Sequence, residues 1–172
     1  MDAFLNRRSI RRYKADEVPQ WMIDRLLQAA MYAPSAKNCQ PWHFIVCDQR
    51  DILLNLSALH PYAAMLKEAP LCIVVCADLS LQAGPYYYLE DCAAATQNIL
   101  LCAHELGLGS CWMGVSPVKE RMDLLKAYFK LPPEIEVFSL IAVGWPNEEK
   151  KIPQDRYKKQ RIHKNTWQET CL

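Results

Sequence analysis

The spacing of apolar residues predicts helices along most of the chain. Apolar positions at intervals of three and four residues predict an amphipathic helix that begins at Val18-Pro19 and ends before Pro34. Similar patterns predict helices over 49–67, with a break at His60-Pro61, over 86–106 and over 117–130. The helix over 86–106 is apolar around most of its circumference, so we expect one face against a sheet and the other against a partner subunit.

Short apolar runs between these helices predict the strands of a sheet. Residues 43–47, 70–77 and 137–144 are rich in β-branched and other apolar side chains, whereas 110–115 is predicted as a short strand or extended loop. The charged segment 145–172 is only weakly periodic and ends in Trp167 and Cys171. Its spaced apolar residues favour docking on another surface, so we expect a single domain over 1–172 with a C-terminal arm over 145–172.

The composition of the chain argues against nucleic acid and membranes as binding partners. The chain has 172 residues and a formal net charge of +1, which gives no overall field for nucleic acid or an anionic membrane. Its apolar runs are shorter than a bilayer span and its first residues do not have the pattern of a signal peptide, so we expect a cytoplasmic protein.

The eight cysteines do not show the CxxC pairs that are typical of zinc or redox sites. Five lie in apolar segments and are predicted as buried thiols, with a metal site as the minor alternative: Cys47, Cys72, Cys76, Cys92 and Cys102.

Three polar clusters are candidates for chemistry. The first, residues 7–12, has four arginines and Ser9 and suits an anion such as phosphate, although a solvated basic terminus has the same composition. The second, residues 34–42, has hydroxyl and amide groups between prolines that suit the polar edge of a heterocycle, or simply cap a turn. The third, residues 107–114, is rich in glycine. It suits the close approach of a flat ligand, or a helix C-cap followed by a packed sheet edge.

The order and separation of these clusters resemble the nitroreductase-like flavoprotein family over nearly the whole chain. Arg-Arg-Ser-x-Arg at 7–11 lies about 25 residues before Pro-Ser-x-x-Asn-x-Gln-Pro-Trp at 34–42. The helical segment 89–98, which leads into Leu-Gly-Leu-Gly at 106–109, is similar to the family's long central helix.

The resemblance implies that FMN is bound between two identical subunits. It assigns the phosphate and ribityl contacts to Arg7, Arg8, Ser9 and Arg11. A loop from the second subunit would supply Pro34, Ser35, Ala36 and Asn38, with support from Gln40. The backbone beside the flavin ring would come from Trp112, Met113, Gly114 and Val115. The tail would return Arg156 to the phosphate, with Lys158 as a substitute.

The implied fold is α+β, a three-layer α/β/α arrangement with a central mixed, mainly antiparallel sheet and a C-terminal arm exchanged in a homodimer. The implied activity is ping-pong hydride transfer from NADH or NADPH through FMN to nitroaromatics or quinones, with no catalytic side chain and no metal. Reductive dehalogenation, enoate-type reduction and non-catalytic FMN binding are the alternatives. Tyr86, Tyr87 and Tyr88 are expected in packing or an interface more than in substrate contacts.

Overall fold

The computed structural model describes residues 2–152, 154 and 156–167, in which five α-helices and four strands are present. The helices are α1 Asp2–Asn6, α2 Gln20–Met31, α3 Arg50–Leu59, α4 Tyr87–Glu105 and α5 Lys119–Phe129. The strands are β1 Trp42–Cys47, β2 Leu71–Asp78, β3 Gly109–Gly114 and β4 Ile135–Gly144. Single turns of 3-10 helix occupy Ala36–Asn38, Ala64–Lys67 and Lys159–Arg161.

The four strands form one antiparallel sheet in the order β1-β2-β4-β3. Trp42 pairs with Ala77, Leu71 with Val143 and Gly109 with Gly144. The single parallel pairing at the sheet is an isolated bridge between Ser9 and Ser110, within the described residues. The expected α+β fold with a mainly antiparallel sheet is confirmed.

Helices cover both faces of the sheet. Alternate residues of β2 enter two separate cores: Ile73 and Val75 pack with α2 and α4, whereas Cys72, Val74 and Cys76 pack with α3 and α5. Because both faces are buried, β2 is apolar along its length instead of alternating with polar residues. This gives the three predicted layers.

The predicted thiols are in place. Cys47, Cys72, Cys76 and Cys92 are buried, Cys102 is half-buried, and burial raises the pKa of Cys47, Cys76 and Cys92 to about 12. The predicted helix over 49–67 is divided as expected, since α3 ends at Leu59 and a 3-10 turn follows. Helix α1 was not predicted, and α5 begins two residues after Pro117.

Candidate functional site

The basic opening segment lies along the free edge of β3. The amide of Ile10 donates to the Ser110 carbonyl at 3.0 Å, and Ser9 forms an isolated parallel bridge with Ser110. The contact is close because Gly109 has no side chain: a Cβ there would lie 2.8 Å from Cβ of Ile10. The first and third polar clusters of the sequence therefore meet at one sheet edge.

Three arginines gather at this edge. The pKa of Arg8 is lowered, first by burial and then by the positive charges of Arg156 and Arg7. Arg156 of the tail therefore lies close enough to Arg8 to affect its charge. Nε of Arg8 is buried and has no hydrogen-bond partner in the described part of the chain. A groove of about 260 Å³ runs between Arg7, Arg8, Gly107 and Ser110. Like charges around an open groove favour an anion between them.

One carboxylate also borders this groove. Glu148 accepts from the Arg11 amide at 2.6 Å and pairs with Nζ of Lys150 at 2.5 Å. Burial alone would raise the pKa of Glu148, but the hydrogen bonds from Lys150 and the Arg11 amide lower it below its ordinary value. Glu148 therefore remains ionised, and its charge is directed to Lys150 and the Arg11 backbone. The side chain of Arg11 is exposed.

Successive residues of an antiparallel strand point their N–H and C=O groups alternately toward and away from the neighbouring strand. This alternation divides residues 112–115, the last three of β3 and the residue after it, into two pairs. Val115 donates to the Phe138 carbonyl at 3.2 Å, so the amides of Met113 and Val115 belong to the β4 side of the strand. The side chains of both residues are buried in the core. Trp112 and Gly114 occupy the alternate positions, where the N–H and C=O groups point away from β4.

Gly114 has an open surface and a firmly held carbonyl. In the described residues no heavy atom lies within 4 Å of the place that a Cβ would take there. Its carbonyl accepts from Nε2 of His60 at 2.9 Å and from a guanidinium nitrogen of Arg121 at 3.2 Å. Its amide is therefore the best-placed donor of this segment for a ligand beside the sheet.

The loop before β1 is ordered by its own side chains and by Asp91 of α4. Oδ1 of Asp91 accepts from the Ala36 amide at 2.8 Å, and Oγ of Ser35 accepts from the Gln40 amide at 3.0 Å. Nε2 of Gln40 donates to Oδ1 of Asn38 at 3.1 Å. Asn38 and Gln40 both have positive φ. Hydrogen bonds within the chain therefore hold this loop in place.

This loop and the basic segment lie at diagonally opposite corners of the sheet. Three strand spacings of about 4.8 Å separate the two edges, which gives about 14 Å. Trp42 and Ser110 also differ by about six residues in strand level, or about 20 Å at about 3.3 Å per residue. Within one subunit the two clusters do not form a single compact site.

Comparison with known proteins identifies the family. The model of the Nitroreductase family matches residues 5–59 and 54–145, most of the chain. The chain belongs to the nitroreductase family. The resemblance inferred from the three clusters is thereby confirmed.

Individual members of the nitroreductase family align over almost the full chain. A Methanothermobacter thermautotrophicus protein with the provisional name NADH dehydrogenase/NAD(P)H nitroreductase is 44% identical over 97% of this chain and 87% of its own. A Clostridium acetobutylicum structure, provisionally named an NADH oxidase, has 44% identity and a TM-score of 0.93 and covers 96% of this chain and 100% of its own. An FMN-dependent nitroreductase from Clostridium difficile has 38% identity and a TM-score of 0.88 over 97% of this chain and 100% of its own.

The arm of this nitroreductase-family chain is largely exposed over its described residues. Ile152, Tyr157, Ile162 and Trp167 all face outward, and Trp167 stacks on His163 with ring centroids 4.1 Å apart. Residues 153, 155 and 168–172, and with them Cys171, lie outside the described residues. Among the helices that the structure describes, none is long and apolar enough to cross a membrane.

Other residues at the site were missed or only partly predicted. No local pattern indicated that His60 or Arg121 would hold Gly114, because His60 stood out only as a break between helices. Asp91 was noted only as part of the long helix. Of the three tyrosines, Tyr88 is buried, whereas Tyr86 and Tyr87 are exposed.

Proposed function

We propose that two copies of this chain form a homodimeric FMN-dependent oxidoreductase that transfers hydride from NADH or NADPH to small electron-poor acceptors such as nitroaromatics and quinones. The general class is that of several relatives, which are named NAD(P)H nitroreductase or, in one case, FMN-dependent nitroreductase. The finer proposals concern the order of the reaction, the acceptors and the residues of the site.

The residues at the β3 edge fit FMN. The buried, unpartnered Nε of half-buried Arg8, beside Arg7 and Arg156, suits the phosphate, and Ser9 offers a neutral hydroxyl. The open surface at Gly114 leaves space for a flat ring against the backbone. When bound, FMN supplies the hydride-accepting atom N5, and we assign the amide of Gly114 as the donor to that atom.

The diagonal separation of the clusters supports a site shared by two subunits. If Pro34, Ser35, Ala36 and Asn38 contact the same FMN as Arg8, a second copy must supply them. Gln40 then acts indirectly, through its hydrogen bond to Asn38.

Exposed apolar side chains supply a surface for that second copy. They lie on α1, at the end of α2 and along the arm: Phe4, Leu5, Met31, Tyr32, Ile152, Tyr157, Ile162 and Trp167. We propose that the arm over 145–172 packs across the partner, that each chain is one domain, and that the protein works in the cytoplasm. The seven described cysteines are free thiols, the form that persists in a reducing compartment.

The chain's own residues bind and orient in this proposal, and they supply no proton or nucleophile. Trp112 lies half-buried on Phe138, with ring centroids 5.7 Å apart, and limits the site on the side of the sheet. The open side admits the nicotinamide, which leaves before the acceptor takes its place. This is a ping-pong order.

An anaerobic titration tests the function. Purified protein loaded with FMN should lose its flavin absorbance with NADH or NADPH and regain it on addition of a nitro compound or quinone, and initial rates should give parallel double-reciprocal lines. A matched sample without nicotinamide controls for photoreduction. Protein that binds FMN but is bleached by neither donor would support non-catalytic binding instead, and reoxidation by halogenated phenols alone would support the dehalogenase alternative.

A further inference from the structure

Gly114 is held by two side chains from the helical layer that contains α3 and α5. His60 follows the last residue of α3, Arg121 lies in the first turns of α5, and both donate to the same carbonyl at the end of β3. Arg121 also lies over the ring of Tyr62, with 5.3 Å from its guanidinium carbon to the ring centroid. Two side chains from different segments of the chain therefore converge on one peptide oxygen.

The hydrogen bonds of His60 fix its tautomer. Its Nδ1 accepts from the Tyr62 amide at 3.2 Å, so the ring hydrogen must be on Nε2, which donates to Gly114. His60 is 1% exposed. Burial lowers its pKa, the hydrogen bond to Gly114 opposes this, and the charge of Arg121 lowers it further. The neutral form that both hydrogen bonds need is therefore the form present near neutral pH.

Glycine at this position requires such support. It has no side chain to restrict its backbone, and nothing packs where a Cβ would lie, so its φ and ψ are fixed only through its peptide groups. The carbonyl and the amide of Gly114 flank the same Cα. Holding the carbonyl therefore restricts the direction of the N–H.

We propose that His60 and Arg121 are positioning residues that clamp the Gly114 carbonyl and thereby aim the Gly114 amide at N5 of FMN. This inference rests on the proposed function and extends it to two residues outside the set that we assign to FMN. A purely structural role would leave the hydrogen bond to N5 unchanged in every folded variant. The positioning role makes that hydrogen bond weaker whenever the clamp is removed.

Glycine labelling gives a direct measurement. The chain has five glycines, so selective [¹⁵N]glycine labelling yields five amide signals, and the one lost in Gly114→Ala belongs to Gly114. We expect FMN to shift the Gly114 signal of the unsubstituted protein. In His60→Leu and Arg121→Met the signal should move before and after FMN is added. Oxidised FMN should lose about fivefold in affinity relative to reduced FMN, the value of one net hydrogen bond, because reduced N5 carries a hydrogen of its own and no longer accepts from the amide.

Matched variants separate positioning from general damage. His60→Gln retains an amide donor near the position of Nε2 and should restore both readouts. Lys119→Met removes a positive charge two residues from Arg121 on the same helix, where Lys119 pairs with Asp123, and should change neither readout. If His60→Leu does not fold, Arg121→Met decides, because Arg121 is only half-buried.

The outcomes distinguish the two proposals. If FMN shifts the Gly114 signal in the unsubstituted protein but His60→Leu and Arg121→Met leave the signal and the affinity ratio unchanged, the clamp is overturned and the proposed function stands. If FMN does not bind, or binds without moving the Gly114 signal, the proposed flavin site is wrong and the clamp falls with it.

Discussion

Replacement by alanine should have different effects at two glycines of β3: at Gly114 it should weaken FMN binding, and at Gly109 it should lower the stability of the protein. At Gly114 a Cβ meets nothing within 4 Å in the described structure, and the backbone is not left-handed. Gly114→Ala should therefore leave the free energy of unfolding within about 1 kcal/mol of the original. If a flavin ring lies against this surface, the methyl group overpacks the site at a cost of about 1–3 kcal/mol. That cost corresponds to FMN binding weakened by about fivefold to a hundredfold.

At Gly109 the added methyl group has no room. It would lie 2.8 Å from both Cβ and Cγ2 of Ile10, and Cβ cannot rotate away because it is attached to the backbone. Gly109→Ala should therefore destabilise the protein itself by about 1–3 kcal/mol and push the basic segment away from β3. Urea unfolding at one fixed protein concentration measures the first effect, and fluorescence titration with FMN measures the second.

The comparison of the two variants is decisive for the position of the ring. A Gly114→Ala protein that keeps the original affinity for FMN would show that no ring lies on this surface of β3. A Gly114→Ala protein that loses several kcal/mol of stability without ligand would show that a second chain already fills the space. Unchanged stability in Gly109→Ala would refute the close contact between Ile10 and the strand.

Three further predictions concern charge, pH and assembly. Arg156→Ala should weaken FMN binding about tenfold or more but leave riboflavin binding unchanged, because riboflavin has no phosphate; equal loss for both ligands would place Arg156 elsewhere. Because folding lowers the pKa of His60, its neutral ring contributes fully to stability above pH 6.5, the ordinary histidine value, and that contribution is lost as the pH falls below 6.5. The free energy of unfolding should therefore decline below pH 6.5 in the original protein and not in His60→Gln. Light scattering should show a dimer, and removal of residues 147–172 should raise its dissociation constant; an FMN-loaded monomer would contradict the shared site.

The helices and strands were largely predictable because burial leaves a periodic signal. Strands β2 and β4 are covered on both faces, so their continuous apolar runs indicated them to within one or two residues. The boundaries at α5 and after α3 were less exact, since caps and 3-10 turns depend on contacts from distant residues. Helix α1 has five residues and is too short for a periodic pattern to show it.

The clamp on Gly114 was not predictable for a different reason. His60 and Gly114 are 54 residues apart, and their hydrogen bond exists only because α3 and β3 are brought together by the sheet. The approach of Arg156 to Arg8 is similarly long-range, and only the family resemblance indicated that the tail returns to the phosphate-binding segment. Short motifs showed which chemistry was present, whereas its geometry depended on the fold.

The position of the site follows from the fact that β3 is an edge strand. An edge strand leaves every second N–H and C=O without a partner in the sheet, and proteins must cover or use these groups. Here Ile10 takes the carbonyl of Ser110, and His60 and Arg121 take that of Gly114. These two carbonyls are thus satisfied from within the chain, while the outward amide of Gly114 lies beside an open surface. We propose that a planar heterocycle with an acceptor atom at its edge, anchored by its phosphate among the arginines, completes this strand edge.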